Sequence, residues 1–259
     1  MSKTALITGA SGGIGLELAK IHASKGGHLV LVARSIEKLS LIKEDLEKTH
    51  AIQVKVISKD LSSKDAALEV YQEIKKEKIQ IDYLINNAGF GDFGFFYETQ
   101  WNKEERMIGL NITSLTQFCK LFINDMISQG GGKIMNLASM AAFEPGPLMA
   151  VYYASKAYVL HFSEAINNEL KDKNITVTAL CPGPTESGFQ EASSQKESKI
   201  VKGKKLPTAK VVAAYGYDAM LKGKAVAVPG FMNALLVRLV RFIPRSVLVK
   251  AIRKLQEKV

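Results

Sequence analysis

The chain has 259 residues, of which 47% are hydrophobic and 23% are charged. These fractions are typical of soluble globular proteins and exclude intrinsic disorder, collagen and a disulfide-dense scaffold. The basic excess lies in the last quarter, because residues 1–190 carry 20 Lys+Arg against 21 Asp+Glu, whereas residues 191–259 carry 15 against 4. The sequence therefore describes a neutral body followed by a basic tail.

The sequence shows no signals for secretion, membrane insertion or metal binding. It has no signal-peptide pattern and no run of 18 apolar residues, so we expect neither a signal peptide nor a transmembrane helix. Its two cysteines and four histidines lack the spacing of metal ligands, and we expect no metal site. Together these features favour a reducing, cytoplasmic location.

Short apolar runs alternate with longer amphipathic stretches through the first 180 residues. The runs are continuously apolar, which is typical of a parallel sheet buried on both faces, and the stretches between them have helical periodicity. This order predicts one α/β domain over residues 1–230, with a Rossmann-like, doubly wound parallel sheet and helices on both faces. The six predicted strands are residues 5–8, 29–33, 53–57, 83–86, 133–137 and 176–180.

The pattern changes after the sixth strand. Residues 186–208 are polar and rich in lysine, and we interpret them as a lid. A further helix (209–222) and a short strand (225–229) complete the predicted domain.

Residues 231–259 form a basic amphipathic extension, predicted as two helices divided at Pro244. Such helices can lie in a membrane interface, and they can equally dock on the body, dimerise or cover a lipid-like substrate. Peripheral membrane contact therefore stays open as one alternative. We expect no nucleic-acid binding, because the basic residues lack interleaved aromatic residues and any recognised module.

A glycine-rich turn follows the first predicted strand and contains Gly9, Gly13 and Gly15. Glycines at a strand-to-helix turn let the backbone approach a phosphate, and the helix N-terminus supplies N–H groups for a pyrophosphate. The spacing is T-G-x-x-x-G-x-G rather than the usual G-x-G-x-x-G. An ordinary tight turn is the alternative for this motif taken alone.

The end of the second strand predicts the type of dinucleotide. An acidic residue would be expected there for the ribose 2′-hydroxyl of NAD, but the chain has Arg34, with Lys38 one helical turn further on. A guanidinium fork suits a 2′-phosphate, so the sequence favours NADP. A solvated arginine at a strand end is the alternative. Asp60, after the third strand, is a candidate either for the adenine amino group or for capping the next helix.

A tyrosine and a lysine four residues apart provide a candidate for proton transfer. Tyr152 and Lys156 share one helix face. A nearby ammonium together with nicotinamide charge would move the tyrosine pKa from about 10 toward neutrality, so that Tyr152 acts as a general acid or base. Tyr153 lies only three residues from Lys156, and we expect it to pack or to line the substrate pocket.

Further candidate groups follow the predicted strands or lie in adjacent helices. The carboxyl ends of parallel strands are where open α/β sheets bind ligands. The groups are Asn87, Ala88 and Gly89 after the fourth strand, Asn111 in the next helix, Ser139 after the fifth strand, and Pro182 and Gly183 after the sixth.

With these motifs in this order, the chain resembles the short-chain dehydrogenase/reductase family over residues 3–230. The resemblance implies that Ser139 orients and polarises the substrate oxygen, that Tyr152 transfers the proton, and that Lys156 holds the nicotinamide ribose and shifts the tyrosine pKa. It implies that Asn111 anchors a water that continues the proton relay. Homo-oligomers are frequent in the family, and we expect one here.

The resemblance also extends the set of cofactor contacts. The family's threonine four residues past the P-G glycine corresponds to Ser187, while Thr185 lies two residues earlier, so either hydroxyl is a candidate for the carboxamide. The complete predicted set is Gly9, Ser11, Gly13, Ile14, Gly15, Arg34, Lys38, Asp60, Asn87, Ala88, Gly89, Tyr152, Lys156, Pro182, Gly183, Thr185 and Ser187.

Aromatic and aliphatic residues near these motifs indicate an apolar substrate. Four phenylalanines lie within residues 90–96, and Phe143, Leu148 and Met149 precede Tyr152. They favour an apolar pocket wall, with core packing as the alternative. We expect an NADP-dependent oxidoreductase acting on a hydrophobic ketone, aldehyde or secondary alcohol. Two alternatives are a reductase of acyl chains at a membrane surface and a non-catalytic NADP-binding sensor or scaffold.

Overall fold

The computed structural model describes residues 2–189, 203 and 205–257. Within them, seven parallel strands form one sheet in the order β3-β2-β1-β4-β5-β6-β7. The order reverses between β1 and β4, where ligands bind in open α/β sheets. The strands are β1 (Thr4–Thr8), β2 (His28–Ala33), β3 (Val54–Ser58), β4 (Tyr83–Asn86), β5 (Gly132–Leu137), β6 (Ile175–Leu180) and β7 (Val226–Ala227).

Helices cover both faces of this sheet, which confirms the predicted doubly wound architecture. Successive strand residues point to opposite faces, so that Leu6 joins one hydrophobic cluster with α3, α5 and α6 while Ile7 joins a second one with α1, α2 and α7. The helices are α1 (Gly13–Ser24), α2 (Ile36–Thr49), α3 (Ala66–Lys76), α4 (Trp101–Ile108), α5 (Leu115–Ser128), α6 (Ala150–Glu169), α7 (Ala209–Leu221), α8 (Phe231–Leu239) and α9 (Arg245–Gln256).

Two short irregular turns shape the functional edge of the sheet. The α4 helix continues into a π-helical turn, Gly109–Ser114, and a 3₁₀ turn, Met140–Phe143, follows β5. Such π turns occur frequently at functional sites. In the described part of the chain, every helix is too short or too polar to cross a membrane.

The element boundaries differ from the predicted ones by a few residues. α1 begins at Gly13 instead of near residue 16, so that Gly13 and Gly15 of the motif lie in its first turn. The predicted strand 225–229 is reduced to the two residues of β7, at the sheet edge. Most of the predicted lid, residues 190–202 and 204, lies outside the described residues, and next to this segment Glu186 pairs with Thr208.

Candidate active site

The candidate residues meet at the carboxyl edge of the sheet, as their positions in the sequence predict. The glycine-rich loop follows β1, Asn87 follows β4, Ser139 follows β5 and Pro182 follows β6. Two connected spaces open at this edge: a cleft of about 680 Å³ that runs past the ends of β1 and β2, and a cavity of about 630 Å³ beside α6.

The glycine-rich loop requires residues without a side chain at three positions. Gly13 has a φ of +53°, and a Cβ atom there would lie 2.9 Å from the carbonyl oxygen of Ser187. Gly9 has a φ of +67°, and a Cβ atom there would lie 2.8 Å from Asn87 Nδ2. A Cβ atom on Gly15 would lie 2.4 Å from the carbonyl oxygen of Gly9. At Gly12, by contrast, a Cβ atom would meet nothing within 4 Å. The loop is therefore packed against the protein at Gly9, Gly13 and Gly15 and open at Gly12, next to the N-terminus of α1, where a diphosphate could approach the helix N–H groups.

Asn87 holds this loop in place. Its Nδ2 donates hydrogen bonds to the carbonyl oxygens of Thr8 (2.9 Å) and Gly9 (3.2 Å). In return, the Thr8 hydroxyl accepts hydrogen bonds from the backbone N–H groups of Asn87 and Ala88, both at 3.0 Å. Asn87 thus clamps the β1 and β4 ends together. The role of Thr8 was not recognised in the sequence, although its place before the first glycine was the available signal.

The cleft is lined at its outer end by positive charge. Arg34 and Lys38 lie on the surface at its rim, near Ser11 and Gly9. Sequence reasoning missed three further basic residues on this wall, Lys59, Lys103 and Arg106, because they belong to no motif. With the two predicted residues they give the cleft five guanidinium or ammonium groups, and these three are paired with Glu69, Asp92 and Asp60.

Asp60 lies in the same cleft, where two neighbours balance its charge. Burial raises the pKa of this carboxyl, but hydrogen bonds from Ser62 and the positive charges of Arg106 and Arg34 outweigh burial, and the net shift is downward. An ion pair of 2.9 Å joins Asp60 to Arg106. The alternative that Asp60 caps the next helix is wrong, because the N-cap of α3 is Asp65.

Ser139, Tyr152 and Lys156 all line the cavity. Ser139 Oγ accepts a hydrogen bond from the backbone N–H of Ala141 (3.1 Å), which fixes the side chain at the start of the 3₁₀ turn. Lys156 Nζ donates to the carbonyl oxygen of Leu137 (2.6 Å) and lies 5.8 Å from the centre of the Tyr152 ring. The predicted i, i+4 pair therefore shares one buried face of α6.

Burial dominates the protonation of this group. It raises the pKa of Tyr152 to about 12, against the opposing hydrogen bond with Ser139. It lowers the pKa of Lys156 to about 8. The expectation that Lys156 lowers the tyrosine pKa is not met in the protein by itself, because the ammonium is directed at the Leu137 carbonyl and the phenolate would be desolvated. Tyr152 is therefore a protonated phenol at neutral pH.

Asn111 is buried in the π-helical turn and joins three elements. Its Nδ2 donates to the carbonyl oxygen of Phe90 and to Ser155 Oγ, both at 3.0 Å, and its Oδ1 accepts from the backbone N–H of Phe90 (3.2 Å). A Cβ atom on Gly89 would lie 3.0 Å from Asn111 Oδ1 and 3.4 Å from Lys156 Nζ. The amide thus fixes the loop after β4 against α6, beside the lysine.

The remaining predicted cofactor residues lie on the same two spaces. Ala88 and Gly89 line the cleft, and Ile14, Pro182 and Gly183 line the cavity. Thr185 and Ser187 both line the cavity. The Thr185 hydroxyl donates to the carbonyl oxygen of Gly183 (2.8 Å), and the Ser187 hydroxyl donates to that of Thr185 (3.2 Å). Among the described residues, no group of three or more His, Cys, Asp or Glu side chains could hold a metal ion.

The apolar walls of the cavity come from two regions of the chain. Phe143 and Met149 line it, as predicted, whereas Phe93, Phe95 and Leu148 line a neighbouring depression of about 710 Å³. The second region is α8 and α9, which dock on the body, as one of the alternatives for the basic extension predicts. The residues from these helices that line the cavity are Asn233, Leu236, Val237, Leu248, Ala251, Ile252 and Leu255.

A polar contact anchors α9 beside α6. Gln256 is fully buried, and its Nε2 donates a 2.6 Å hydrogen bond to the hydroxyl of Tyr153. The Tyr153 ring packs edge-on against that of Tyr152, with their centres 6.1 Å apart. Tyr153 therefore lines the pocket, as its position in the sequence predicts, and connects α9 to Tyr152.

The chain is similar to proteins of known class. Residues 3–198 match the family model described as short chain dehydrogenase. The 17-beta-hydroxysteroid dehydrogenase type 3 of Mus musculus is 36% identical over 203 residues, which are 77% of this chain and 65% of that enzyme. The very-long-chain 3-oxoacyl-CoA reductase-A of Danio rerio is 33% identical over 188 residues, which are 70% of this chain and 58% of that enzyme. The match thus spans less than two thirds of either relative.

A solved structure has the same architecture along nearly the whole chain. The short-chain dehydrogenase from Sphingobium yanoikuyae, in complex with NADPH, superposes with a TM-score of 0.81 at 28% identity. The superposition covers 94% of this chain and 97% of that one. The similarity therefore extends beyond the residues matched by the family model.

Proposed function

The chain belongs to the short-chain dehydrogenase/reductase family of oxidoreductases, and from this premise we propose that it uses NADPH to reduce a hydrophobic ketone or aldehyde to an alcohol. The observation that carries the proposal is that Ser139, Tyr152 and Lys156 line one cavity whose remaining walls are largely apolar. That cavity adjoins the cleft that fits a dinucleotide.

Three features of the cleft support NADPH over NADH. The end of β2 has no acidic side chain for a ribose 2′-hydroxyl, and Arg34 and Lys38 occupy the rim. Asp60 adds no unbalanced negative charge, because it is paired with Arg106. A 2′-phosphate would therefore find positive charge and a guanidinium fork. The diphosphate would lie against the open N-terminus of α1, with Gly9, Ser11 and Gly13 around it.

Tyr152 holds the proton that the reaction requires. With a pKa of about 12, its phenol is neutral and can donate to the oxygen of a carbonyl placed between it and Ser139. The Ser139 hydroxyl orients and polarises that oxygen. When bound, the nicotinamide supplies the hydride. Lys156, held on the Leu137 carbonyl beside Gly89, is positioned to bind the nicotinamide ribose and to stabilise the tyrosinate left after proton transfer.

The substrate class follows from the walls of the cavity and from the two relatives. A steroid dehydrogenase and a 3-oxoacyl-CoA reductase share a carbonyl or hydroxyl on a large apolar skeleton. Phe143 and Met149 on one side and Leu236, Val237 and Ile252 on the other suit such a skeleton. A reductase of acyl chains is the second candidate, and the apolar residues contributed by α8 and α9 favour it.

We extend the proposal to the organisation of the chain. Residues 1–230 would form a single cofactor-binding and catalytic domain, which the continuous sheet supports, and residues 231–259 would form an extension of it. Residues 186–208 would serve as its lid. The family resemblance supports a homo-oligomer, and the composition supports a cytoplasmic location, with peripheral membrane contact as the alternative.

The test is oxidation of NADPH and NADH by the purified protein across cyclic, aryl and long-chain ketones, beside Tyr152→Phe. We expect turnover with NADPH and a loss of 10²–10⁴-fold in kcat for the variant, because only the proton donor is removed. The affinity for NADPH, followed by its fluorescence, should change less than threefold. NADPH binding without turnover, unaltered in the variant, would instead indicate a sensor or scaffold.

A further inference from the structure

The outer surface of α8 is apolar and uncovered. Phe231 and Phe242 are 84% and 83% exposed, and they lie at the two ends of the α8 segment. Monomeric soluble proteins seldom expose large contiguous apolar patches, and when they do the patch usually has a partner. The other large apolar residues that are exposed on α8, on α9 and between them are Met232, Leu235, Leu236, Leu239, Ile243, Val247, Val249 and Leu255.

The same segment carries only positive charge. Residues 231–256 contain no Asp or Glu, while Glu257 follows at the end. The surface therefore combines apolar side chains with basic ones. This combination complements a lipid bilayer with anionic headgroups, in which an apolar interior lies beneath a negatively charged layer. The exposed basic residues are Arg238, Arg241, Arg245, Lys250 and Lys254.

These exposed residues are distinct from those that dock the helices on the body. Docking uses Val237, Leu248 and Ile252, which are buried, and the Gln256–Tyr153 hydrogen bond. Arg253 completes this contact, with its guanidinium 4.6 Å from the centre of the Phe95 ring. The helices are thus anchored on one side and present their remaining apolar residues outward.

The catalytic cavity reaches this outward surface. Leu236 and Leu255 line the cavity, and each is also 45% exposed to solvent. Ala251 lines it as well and lies on the surface. The part of the cavity wall that α8 and α9 form is therefore continuous with the exposed apolar patch.

From these observations we propose that α8 and α9 bind an anionic lipid bilayer, and that the catalytic cavity opens on the bound face, so that a hydrophobic substrate enters from the bilayer. The binding surface stands independently of the catalytic proposal. The route of the substrate rests on the proposed reductase activity. A second copy of the chain is the competing occupant of this surface, and the experiment separates the two.

The first arm measures flotation of the full chain with vesicles of phosphatidylcholine alone or with 30% phosphatidylglycerol. We expect binding to the anionic vesicles, weakened at least tenfold by 0.5 M salt, because each basic residue at such a surface contributes roughly a factor of five. Phe231→Ser/Phe242→Ser and Arg241→Glu/Lys250→Glu should each reduce this binding at least tenfold.

The matched controls change exposed residues that lie outside the patch. Trp101→Ser/Leu41→Ser removes two exposed apolar side chains outside the patch, and Lys171→Glu/Lys173→Glu reverses two exposed charges. Both should bind vesicles as the unmodified chain does. Equal losses in control and patch variants, or no binding of the unmodified chain, would overturn the proposal. So would a dimer in solution that Phe231→Ser/Phe242→Ser dissociates while vesicle binding is absent.

The second arm compares a water-soluble ketone with one that partitions into vesicles. We expect the two patch variants to lower kcat/KM only for the partitioned ketone, by about the loss in vesicle binding. If the patch variants change kcat/KM by the same factor for both ketones, relative to the unmodified chain, the proposed route is overturned. If the unmodified chain reduces neither ketone, the catalytic proposal fails, while the flotation result still decides the membrane proposal.

Discussion

The glycine-rich loop and the C-terminal helix pair are both at the same site, but they are specified in different ways. The loop is held by short-range geometry: Gly15 lies against the Gly9 carbonyl, and Asn87 bonds both Thr8 and Gly9. The helix pair is held by a few long-range contacts, chiefly Gln256 on Tyr153, 103 positions apart in the chain. The proposed cofactor site is thus built from motif residues, and the proposed substrate cavity is completed by packing that no motif encodes.

The largest expected effect is that of Gly15→Ala, which tests how tightly the loop is specified. A methyl group 2.4 Å from the Gly9 carbonyl oxygen must move the backbone, and overpacking of this kind costs about 1–3 kcal/mol or more. We expect a melting temperature several degrees lower and no measurable NADPH binding.

Gly12→Ala is the matched control for that substitution. Its methyl group would meet no protein atom within 4 Å, and the Gly12 φ of 178° is accessible to alanine. Its melting temperature should stay within about 2 °C of the unmodified protein. Equal melting temperatures for Gly15→Ala and Gly12→Ala would show that the loop tolerates side chains.

The second prediction concerns the outer end of the cleft. Arg34→Ala should weaken NADPH binding about 10–100-fold, since charge-assisted hydrogen bonds contribute about 1.5–3 kcal/mol, and should leave NADH binding nearly unchanged. Arg34→Lys should recover part of the loss, because it keeps the charge without the fork. Titration calorimetry with both cofactors measures this, and a parallel loss of NADH affinity would contradict the NADPH preference.

The third prediction uses a carboxyl in the cavity. Burial raises the pKa of Glu144 from its ordinary value of 4.5 to about 7. A carboxyl with a raised folded-state pKa favours folding in its neutral form, so stability falls as pH rises from about 4.5 to about 7 and stays low above it. Glu144→Gln removes this penalty, and we expect a gain of about 1–3 kcal/mol at pH 8 and almost none at pH 4.

Chemical unfolding of Glu144→Gln at the two pH values provides the measurement. Glu169→Gln, an exposed residue at the end of α6, is the control and should change the free energy of unfolding by less than about 0.5 kcal/mol at either pH. The same gain at pH 4 and pH 8 would mean that the effect arises from packing rather than from titration.

Most residues of the proposed nucleotide cleft were predictable from the sequence. The residues that contact them from other parts of the chain were less predictable. Strand periodicity and the serial β-α order predict a parallel sheet, whose carboxyl edge collects the motif residues whatever the loops do. Arg106 on the cleft wall and the Asn87 clamp depend on which loops touch in space. The pKa of Tyr152 depends on how completely the cavity excludes water, and spacing along the chain carries no information about that.

The C-terminal helices illustrate the same limit more strongly. Their apolar spacing predicts amphipathic helices without telling which apolar residues are covered: Leu235, Leu239 and Ile243 are exposed, while Val237 is buried. An amphipathic sequence indicates that a helix has two faces. Which apolar residues become buried depends on the surface that the helix packs against. Here that surface is the wall of the cavity beside α6.

The substitution with the smallest expected effect, Gln256→Leu, tests the contact that anchors the C-terminal helix pair. Gln256→Leu removes the donor to the Tyr153 hydroxyl in a position with no exposed surface. Leaving that buried hydroxyl without this bond should cost about 1 kcal/mol, the usual contribution of one hydrogen bond. Because Tyr153 packs edge-on against Tyr152, the loss should raise KM for bulky ketones two- to fivefold and leave NADPH affinity unchanged.

Tyr153→Phe is the companion substitution, because it removes the hydroxyl that the glutamine bonds. Combined with Gln256→Leu, it leaves neither partner of the bond, so the double variant should be no less stable than Gln256→Leu alone. Equal changes in KM for bulky and small ketones would indicate that the bond supports the fold without shaping the cavity. A rise restricted to bulky ketones would show that the last helix of the chain determines the width of a cavity whose chemistry lies on α6.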